Sequence, residues 1–148
     1  MKAILTSVAI ILLISCSSKQ NNAEIFIVDG KALRGYDAVA FHAEQKAVPG
    51  NKAYSFNWQG ANWQFSSQAH LDSFKLNPER YAPQYGGYCA FGTADGHKAP
   101  TETDTWTITD GKLYFNYNNK VKELWMKDQK GYIEKADKLW PAVKDDEF

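Results

Sequence analysis

Two cysteines and three histidines are the side chains of this sequence that suit a soft or borderline metal ion. Cys89 lies in the middle of the chain, and the imidazoles that could join it are His42, His70 and His97. These residues are too few for a cysteine-rich structural zinc site, whereas a thiolate combined with imidazole suits copper. The residue types therefore predict a copper site at Cys89, with His42 and His97 as the first candidates to complete it.

Cys89 also has two other interpretations. A free cysteine is often a small apolar residue packed in a core. A catalytic thiol would need a neighbouring base or a helix N-terminus to lower its pKa, and the sequence offers no such partner at a recognisable spacing. The nucleophile elbow, the phosphate-binding loop, the dinucleotide fingerprint and the zinc-protease helix motif are also missing. We therefore expect no enzymatic activity, with a thiol enzyme at Cys89 as the minor alternative.

Aromatic residues and glycines are concentrated around Cys89. The run 84–92 contains Tyr85, Tyr88 and Phe91 together with three glycines, and glycine permits backbone shapes and close approaches that other residues forbid. Such a surface could hold a small apolar ligand or a protein partner, although aromatic residues of small domains more commonly fill the core. The candidate pocket residues are Tyr36, Asp37, Tyr85, Tyr88 and Trp106.

The first residues of the chain have the pattern of an export signal. A lysine at position 2 precedes an apolar run that ends at Ile14 and is too short to span a bilayer comfortably. Ser15 and Cys16 follow, and this ending resembles the bacterial lipobox, in which the cysteine is lipidated and becomes the new N-terminus. We therefore expect a lipoprotein signal peptide at 1–15, a lipid on Cys16 and a polar tether at 16–23.

Lipidation of Cys16 would have two consequences. It would leave Cys89 as the single thiol of the mature chain, so no internal disulfide could form, although an exported protein usually pairs its cysteines. It would also anchor the protein in a membrane at the periplasmic face of the cell envelope. Ser17 and Ser18 lack the aspartate that retains many lipoproteins in the inner membrane, so the resemblance implies the outer membrane.

Length and charge narrow the remaining classes of protein. The chain has 148 residues, which fits one domain of about 100–200 residues. Its 17 Lys and Arg residues balance 17 Asp and Glu residues, so the chain lacks the positive field that nucleic-acid binding requires. The hydrophobic fraction of 44% is large enough for a real core, which excludes a wholly disordered protein.

Two β-hairpins are predicted from alternating aromatic and polar residues. The first covers residues 54–65 and turns near Gly60. The second covers residues 105–117, where Asp110 and Gly111 favour a two-residue turn between the strands. We expect both hairpins to be antiparallel.

Helices are predicted to cover these hairpins. Asp37 is the predicted N-cap of a short helix, and Ser66 and Ser67 are N-cap candidates for a central helix that begins near Gln68. An apolar stripe after position 120 predicts a C-terminal helix, or two, interrupted near Gly131 and stopped by Pro141. No pattern of parallel crossovers is present. The order of elements predicts a single compact α+β domain at 24–141, with the two hairpins packed against the central and C-terminal helices. A charged, solvated tail is expected at 142–148.

Several blocks of the sequence have the order and spacing of a known family. They are Gly35-Tyr36-Asp37-Ala38-Val39-Ala40-Phe41, Phe65-Ser66-Ser67, the run from Asn77-Pro78-Glu79 to Gly86-Gly87-Tyr88-Cys89-Ala90, Trp106, Asp110-Gly111-Lys112-Leu113-Tyr114 with Asn116-Tyr117, and Ala136-Asp137 with Trp140-Pro141. Together these blocks resemble the exported YHS-domain proteins of bacteria over residues 33–141.

This resemblance implies metal binding rather than a defined activity. YHS relatives, including segments of metal-transporting ATPases, are associated with metal binding through a Phe-Cys-Ser-x-x-Cys-type stretch where the hairpin meets the helix. Here a serine, Ser66, replaces the first cysteine and His70 stands near the second, so the usual thiolate pair is missing. The leading hypothesis is an exported lipoprotein that handles copper at Cys89. The alternative is a module that binds a small ligand or a protein, with Cys89 as a packing residue.

Overall fold

The computed structural model describes residues 24–148. The predicted signal peptide at 1–15, the lipidation of Cys16 and the tether at 16–23 lie outside the described residues. Within the described residues, no helix combines the length and the apolar character needed to cross a membrane.

The first predicted hairpin forms most of the larger of two sheets. β1 (Ile27–Val28) and β2 (Lys31–Ala32) make a small antiparallel hairpin, and β3 (Asn51–Trp58) pairs antiparallel with β4 (Ala61–Phe65). The strand order is β1-β2-β4-β3, because β2 pairs with β4 in parallel. The predicted hairpin is confirmed, and the N-terminal strands extend it to four strands.

The second predicted hairpin is also confirmed. β5 (Thr107–Thr109) pairs antiparallel with β6 (Lys112–Tyr114) around the turn at Asp110 and Gly111. These turn residues have φ values of 51° and 73°. Positive φ at both central positions is what a two-residue turn with the twist of the flanking strands requires.

Six α-helices accompany the two sheets in the described part of the chain. They are α1 (Ala38–Ala43), α2 (Gln68–Leu76), α3 (Pro78–Tyr81), α4 (Ala90–Ala94), α5 (Asn119–Met126) and α6 (Gln129–Val143). Asp37 caps α1 and Ser67 caps α2, since each side chain accepts hydrogen bonds from the first backbone N–H groups of its helix. The predicted helix starts at these two residues are therefore confirmed.

The C-terminal helices differ from the prediction at two places. The break lies at Asp128 rather than Gly131, because the Asp128 side chain accepts a hydrogen bond from Gly131 N at 3.2 Å and begins α6 there. Pro141 does not end α6, which continues to Val143. A proline lacks only its own N–H group, and the backbone bonding resumes where Lys144 N donates to Trp140 O at 2.8 Å.

The segment 142–148 is not a fully solvated tail. Val143 is 3% exposed, and the Phe148 ring contacts the Tyr88 ring with centroids 5.1 Å apart. Lys98 Nζ also donates to the backbone oxygen of Asp146 at 2.7 Å. Within this segment Val143 alone is buried, whereas residues 145–148 are exposed, as the prediction of a solvated tail expects.

Two apolar clusters make up the core. The larger lies between the four-stranded sheet and α2, where Trp63, Phe65 and Phe74 are at most 1% exposed. The smaller lies between α4, α5 and α6 around Trp125. Strand β6 contributes side chains to both clusters, because successive side chains of a strand point to opposite faces. Leu113 lies in the larger cluster and Tyr114 in the smaller. The predicted compact α+β fold is confirmed.

Candidate functional site

Cys89 is a buried thiol at the start of α4. The residue is 1% exposed, and its Sγ accepts a hydrogen bond from Gly92 N at 3.4 Å while donating to Asn116 Oδ1 at 3.7 Å. Burial raises the pKa of the Cys89 thiol, and nearby backbone N–H groups oppose this effect. The protonated thiol is therefore favoured at neutral pH, which suits a packing residue better than a nucleophile.

The histidines predicted to join Cys89 lie in different surroundings. His97 is exposed, and its ring lies beside Gly92. A Cβ added to Gly92 would lie 3.2 Å from His97 Nε2. The His42 ring meets the edge of the Tyr81 ring at 5.6 Å, and burial lowers the pKa of His42. Among residues 24–148, no group of three His, Cys, Asp or Glu side chains is placed to hold a metal ion. The structure thus does not assemble Cys89, His42 and His97 into a three-ligand site.

The buried carboxylate of Asp37 joins α1 to α2. Asp37 is 0% exposed, and its Oδ1 accepts hydrogen bonds from Val39 N and Ala40 N at 2.9 and 3.2 Å. Its Oδ2 accepts from Ser66 N at 2.8 Å and from Ser66 Oγ at 2.7 Å, and it lies 2.6 Å from His70 Nδ1. The sequence indicated the helix cap but not the partners, because Ser66 and His70 are 29 and 33 positions away.

His70 completes this network at the surface. Its side chain is 18% exposed, and Nε2 lies 3.8 Å from Glu44 Oε1. A carboxylate behind an imidazole fixes the orientation of the ring, so His70 is held more firmly than the sequence indicated. His70 does not line the cleft described next, and its contacts are those of a structural tie between α1 and α2.

A cleft of about 410 Å³ is lined in part by residues 84–86, and Cys89 does not line it. We call it the Tyr85 cleft and define it by three aromatic residues, Trp58, Tyr85 and Trp140, and by four charged residues, Glu24, Glu79, Lys112 and Asp137, which all line it. The aromatic residues come from three separate parts of the chain. Only the folded chain brings them together.

Distinct elements position the side chains of the Tyr85 cleft. Trp58 ends β3, Lys112 begins β6, and Asp137 lies on α6 one turn before Trp140. The Tyr85 hydroxyl donates a hydrogen bond to Asp137 Oδ1 at 2.8 Å. Burial raises the pKa of Tyr85, and Asp137 adds to this shift. The hydroxyl therefore stays protonated and holds the Asp137 carboxylate in place.

Of the five pocket residues predicted from the sequence, only Tyr85 lines this cleft. Tyr36 and Trp106 pack against the larger apolar cluster, Tyr88 is 2% exposed, and Asp37 is buried in its hydrogen-bond network. These four residues therefore stay candidates outside this cleft, with Tyr36 and Trp106 half-buried. Asp137 and Trp140 belong to the family-like blocks of the sequence, but local spacing does not indicate that they meet Trp58 in one cleft.

Comparison with known proteins gives one match. The family model of the YHS domain matches residues 39–85, a segment that begins inside α1 and ends at Tyr85 in the cleft. Cys89 lies beyond the matched residues. No curated protein and no solved structure matches the chain. The resemblance inferred from the sequence is therefore confirmed for the YHS-domain segment at residues 39–85.

Proposed function

We propose that this chain is a non-enzymatic binding protein whose ligand site is the Tyr85 cleft. The observation that carries the proposal is the cleft itself, whose volume is about 410 Å³. Small-molecule sites commonly measure about 300–1,000 Å³ and combine apolar walls with a few polar groups. Export and attachment to a membrane through Cys16 belong to the same proposal, and they rest on the sequence of residues 1–23.

The walls of the cleft suit a ligand of modest size. Trp58 and Trp140 are half-buried, so each keeps part of its ring surface accessible. Tyr85 packs against Trp140, with the two ring centroids 5.8 Å apart. These rings supply apolar contact, while the tied Asp137 carboxylate offers a polar group of fixed position. A few placed polar groups on an aromatic surface are what orient a bound small molecule.

Filling the cleft should abolish ligand binding. Lys112 is exposed and lines the cleft, so Lys112→Trp should occupy the space without disturbing the core. We expect a panel of small cationic, anionic and neutral molecules to contain compounds that shift the indole N–H signals of Trp58 and Trp140 in NMR spectra. Those shifts should disappear in Lys112→Trp.

The matched control is Lys120→Trp, which adds the same side chain at an exposed position of α5 that does not line the cleft. This variant should bind like the parent chain. The proposal fails if no compound of the panel shifts the two indole signals. It also fails if binding persists unchanged in Lys112→Trp.

Copper handling centred on Cys89 is the second candidate. The YHS-domain match supports it, because the resemblance implies metal binding. Cys89 is the free cysteine among residues 24–148, and His97 lies against the same glycine, Gly92, that hydrogen-bonds to the thiol. A bound metal would have to displace the thiol proton, which the raised pKa of Cys89 makes harder.

Replacing Cys89 separates copper binding from packing. If Cys89 binds copper, the parent chain should take up about one equivalent of Cu(I), and Cys89→Ser and Cys89→Ala should both lose most of that affinity, since both lack the soft ligand. If Cys89 only packs, all three proteins should bind copper equally weakly. In that case Cys89→Ser should lose about 1–3 kcal/mol of stability from the buried hydroxyl. Copper titration and thermal melting of the three proteins distinguish the two results.

A further inference from the structure

The Tyr85 cleft carries more negative than positive charge. Glu79 and Asp137 line it, and neither takes part in an ion pair with another described residue. Glu24 also lines the cleft, but Lys144 Nζ neutralises it at 2.7 Å. Among residues 24–148, the one lysine or arginine in the lining is Lys112. A bound anion would therefore meet two unpaired carboxylates against a single ammonium group.

The aromatic walls add attraction for the same sign of charge. The faces of tryptophan and tyrosine rings carry partial negative charge, and a cation within about 6 Å of a ring centroid is attracted to them. Trp58 and Trp140 line the cleft together with Tyr85. Carboxylates and ring faces therefore both favour a positive group on the ligand.

A bare metal ion fits this lining poorly. Hard cations in proteins take six or more oxygen ligands at close range, and residues 24–148 contain no group of three acidic, histidine or cysteine side chains that could hold one. The rings, moreover, offer no ligand atoms. An organic cation makes use of both kinds of wall, because its charge can lie near the carboxylates while its carbon atoms contact the rings.

We propose that the ligand of the Tyr85 cleft is a small organic cation, with an ammonium group near Asp137 and Glu79 and an apolar part against Trp58 and Trp140. This inference rests on the proposed binding function and specifies its ligand class. The hydrogen bond from Tyr85 to Asp137 Oδ1 at 2.8 Å holds the carboxylate that faces the charge.

Choline and its neutral isostere 3,3-dimethylbutan-1-ol test the ligand class, because the two molecules share shape and differ in charge. In titrations followed by the indole signals of Trp58 and Trp140, choline should bind the full chain about tenfold more tightly than the alcohol. Asp137→Asn and Glu79→Gln should each weaken choline binding about threefold or more and leave the alcohol unaffected.

The matched control is Glu134→Gln, which removes an exposed charge from α6 outside the cleft and should not change choline binding. The inference is overturned if the alcohol binds as tightly as choline, or if neither cleft carboxylate affects choline. In both cases the cleft still binds a ligand, so the proposed function stands. Absence of any response to choline, to the alcohol and to the wider panel overturns the inference and the function together.

Discussion

We expect Asp37→Asn to lower the free energy of unfolding by about 3 kcal/mol, because it disrupts the buried hydrogen-bond network that joins α1 to α2. Five hydrogen-bonding contacts converge on this carboxylate, from Val39, Ala40, Ser66 and His70. All of them place a donor against an oxygen. An asparagine at position 37 replaces one of the two carboxylate oxygens with an NH₂ group. The donors that faced that oxygen would then face another donor in a buried position.

A matched control separates the network from the loss of charge alone. Asp72→Asn removes a carboxylate from an exposed position on α2, where it accepts one hydrogen bond from Gln68 Nε2 at 2.8 Å. We expect that change to stay within about 0.5 kcal/mol. Urea unfolding of the two variants measures the difference. Equal midpoints would show that the Asp37 contacts do not stabilise the link between α1 and α2.

Features encoded over a few residues could be predicted from the sequence. The turn at Asp110 and Gly111 and the helix caps at Asp37 and Ser67 depend on neighbouring residues only, so the local pattern indicated each of them. The predicted stop at Pro141 is wrong because a proline near a helix end removes a single N–H group, and packing of the last turn, with Val143 buried, outweighs that loss.

Features that join distant parts of the chain could not be predicted. The parallel pairing of Lys31 with Asn62 and the contact of Asp37 with His70 have no counterpart in local spacing. The cleft shows the same limit, since the aromatic and glycine-rich run around Tyr85 indicates that residue alone, whereas Trp58 and Asp137 reach the cleft from other elements. The combination of carboxylates and aromatic rings in the cleft can be seen only in the folded structure, where these elements lie side by side.

Gly86→Ala should lose about 2–4 kcal/mol of unfolding free energy, because the new methyl group has no space. Gly86 has a φ of +60°, and a Cβ at this position would clash with the backbone oxygen of Glu24. Backbone atoms cannot move aside by rotating a side chain. The methyl group would therefore push residues 24–26 away from the 84–87 turn and strain the hydrogen bond that Phe26 N donates to Gly86 O at 2.8 Å.

Gly111→Ala is the matched control, since Gly111 also has a positive φ of +73° but nothing lies within 4 Å of its Cβ position. It should lose only the penalty of about 1–2 kcal/mol for a left-handed backbone. The difference between the two variants in urea unfolding measures the close approach alone. Because Glu24, Ile25 and Gly86 form one wall of the Tyr85 cleft, Gly86→Ala should also weaken ligand binding there, whereas Gly111→Ala should not. Equal losses of stability in both variants would contradict the close approach on which this wall depends.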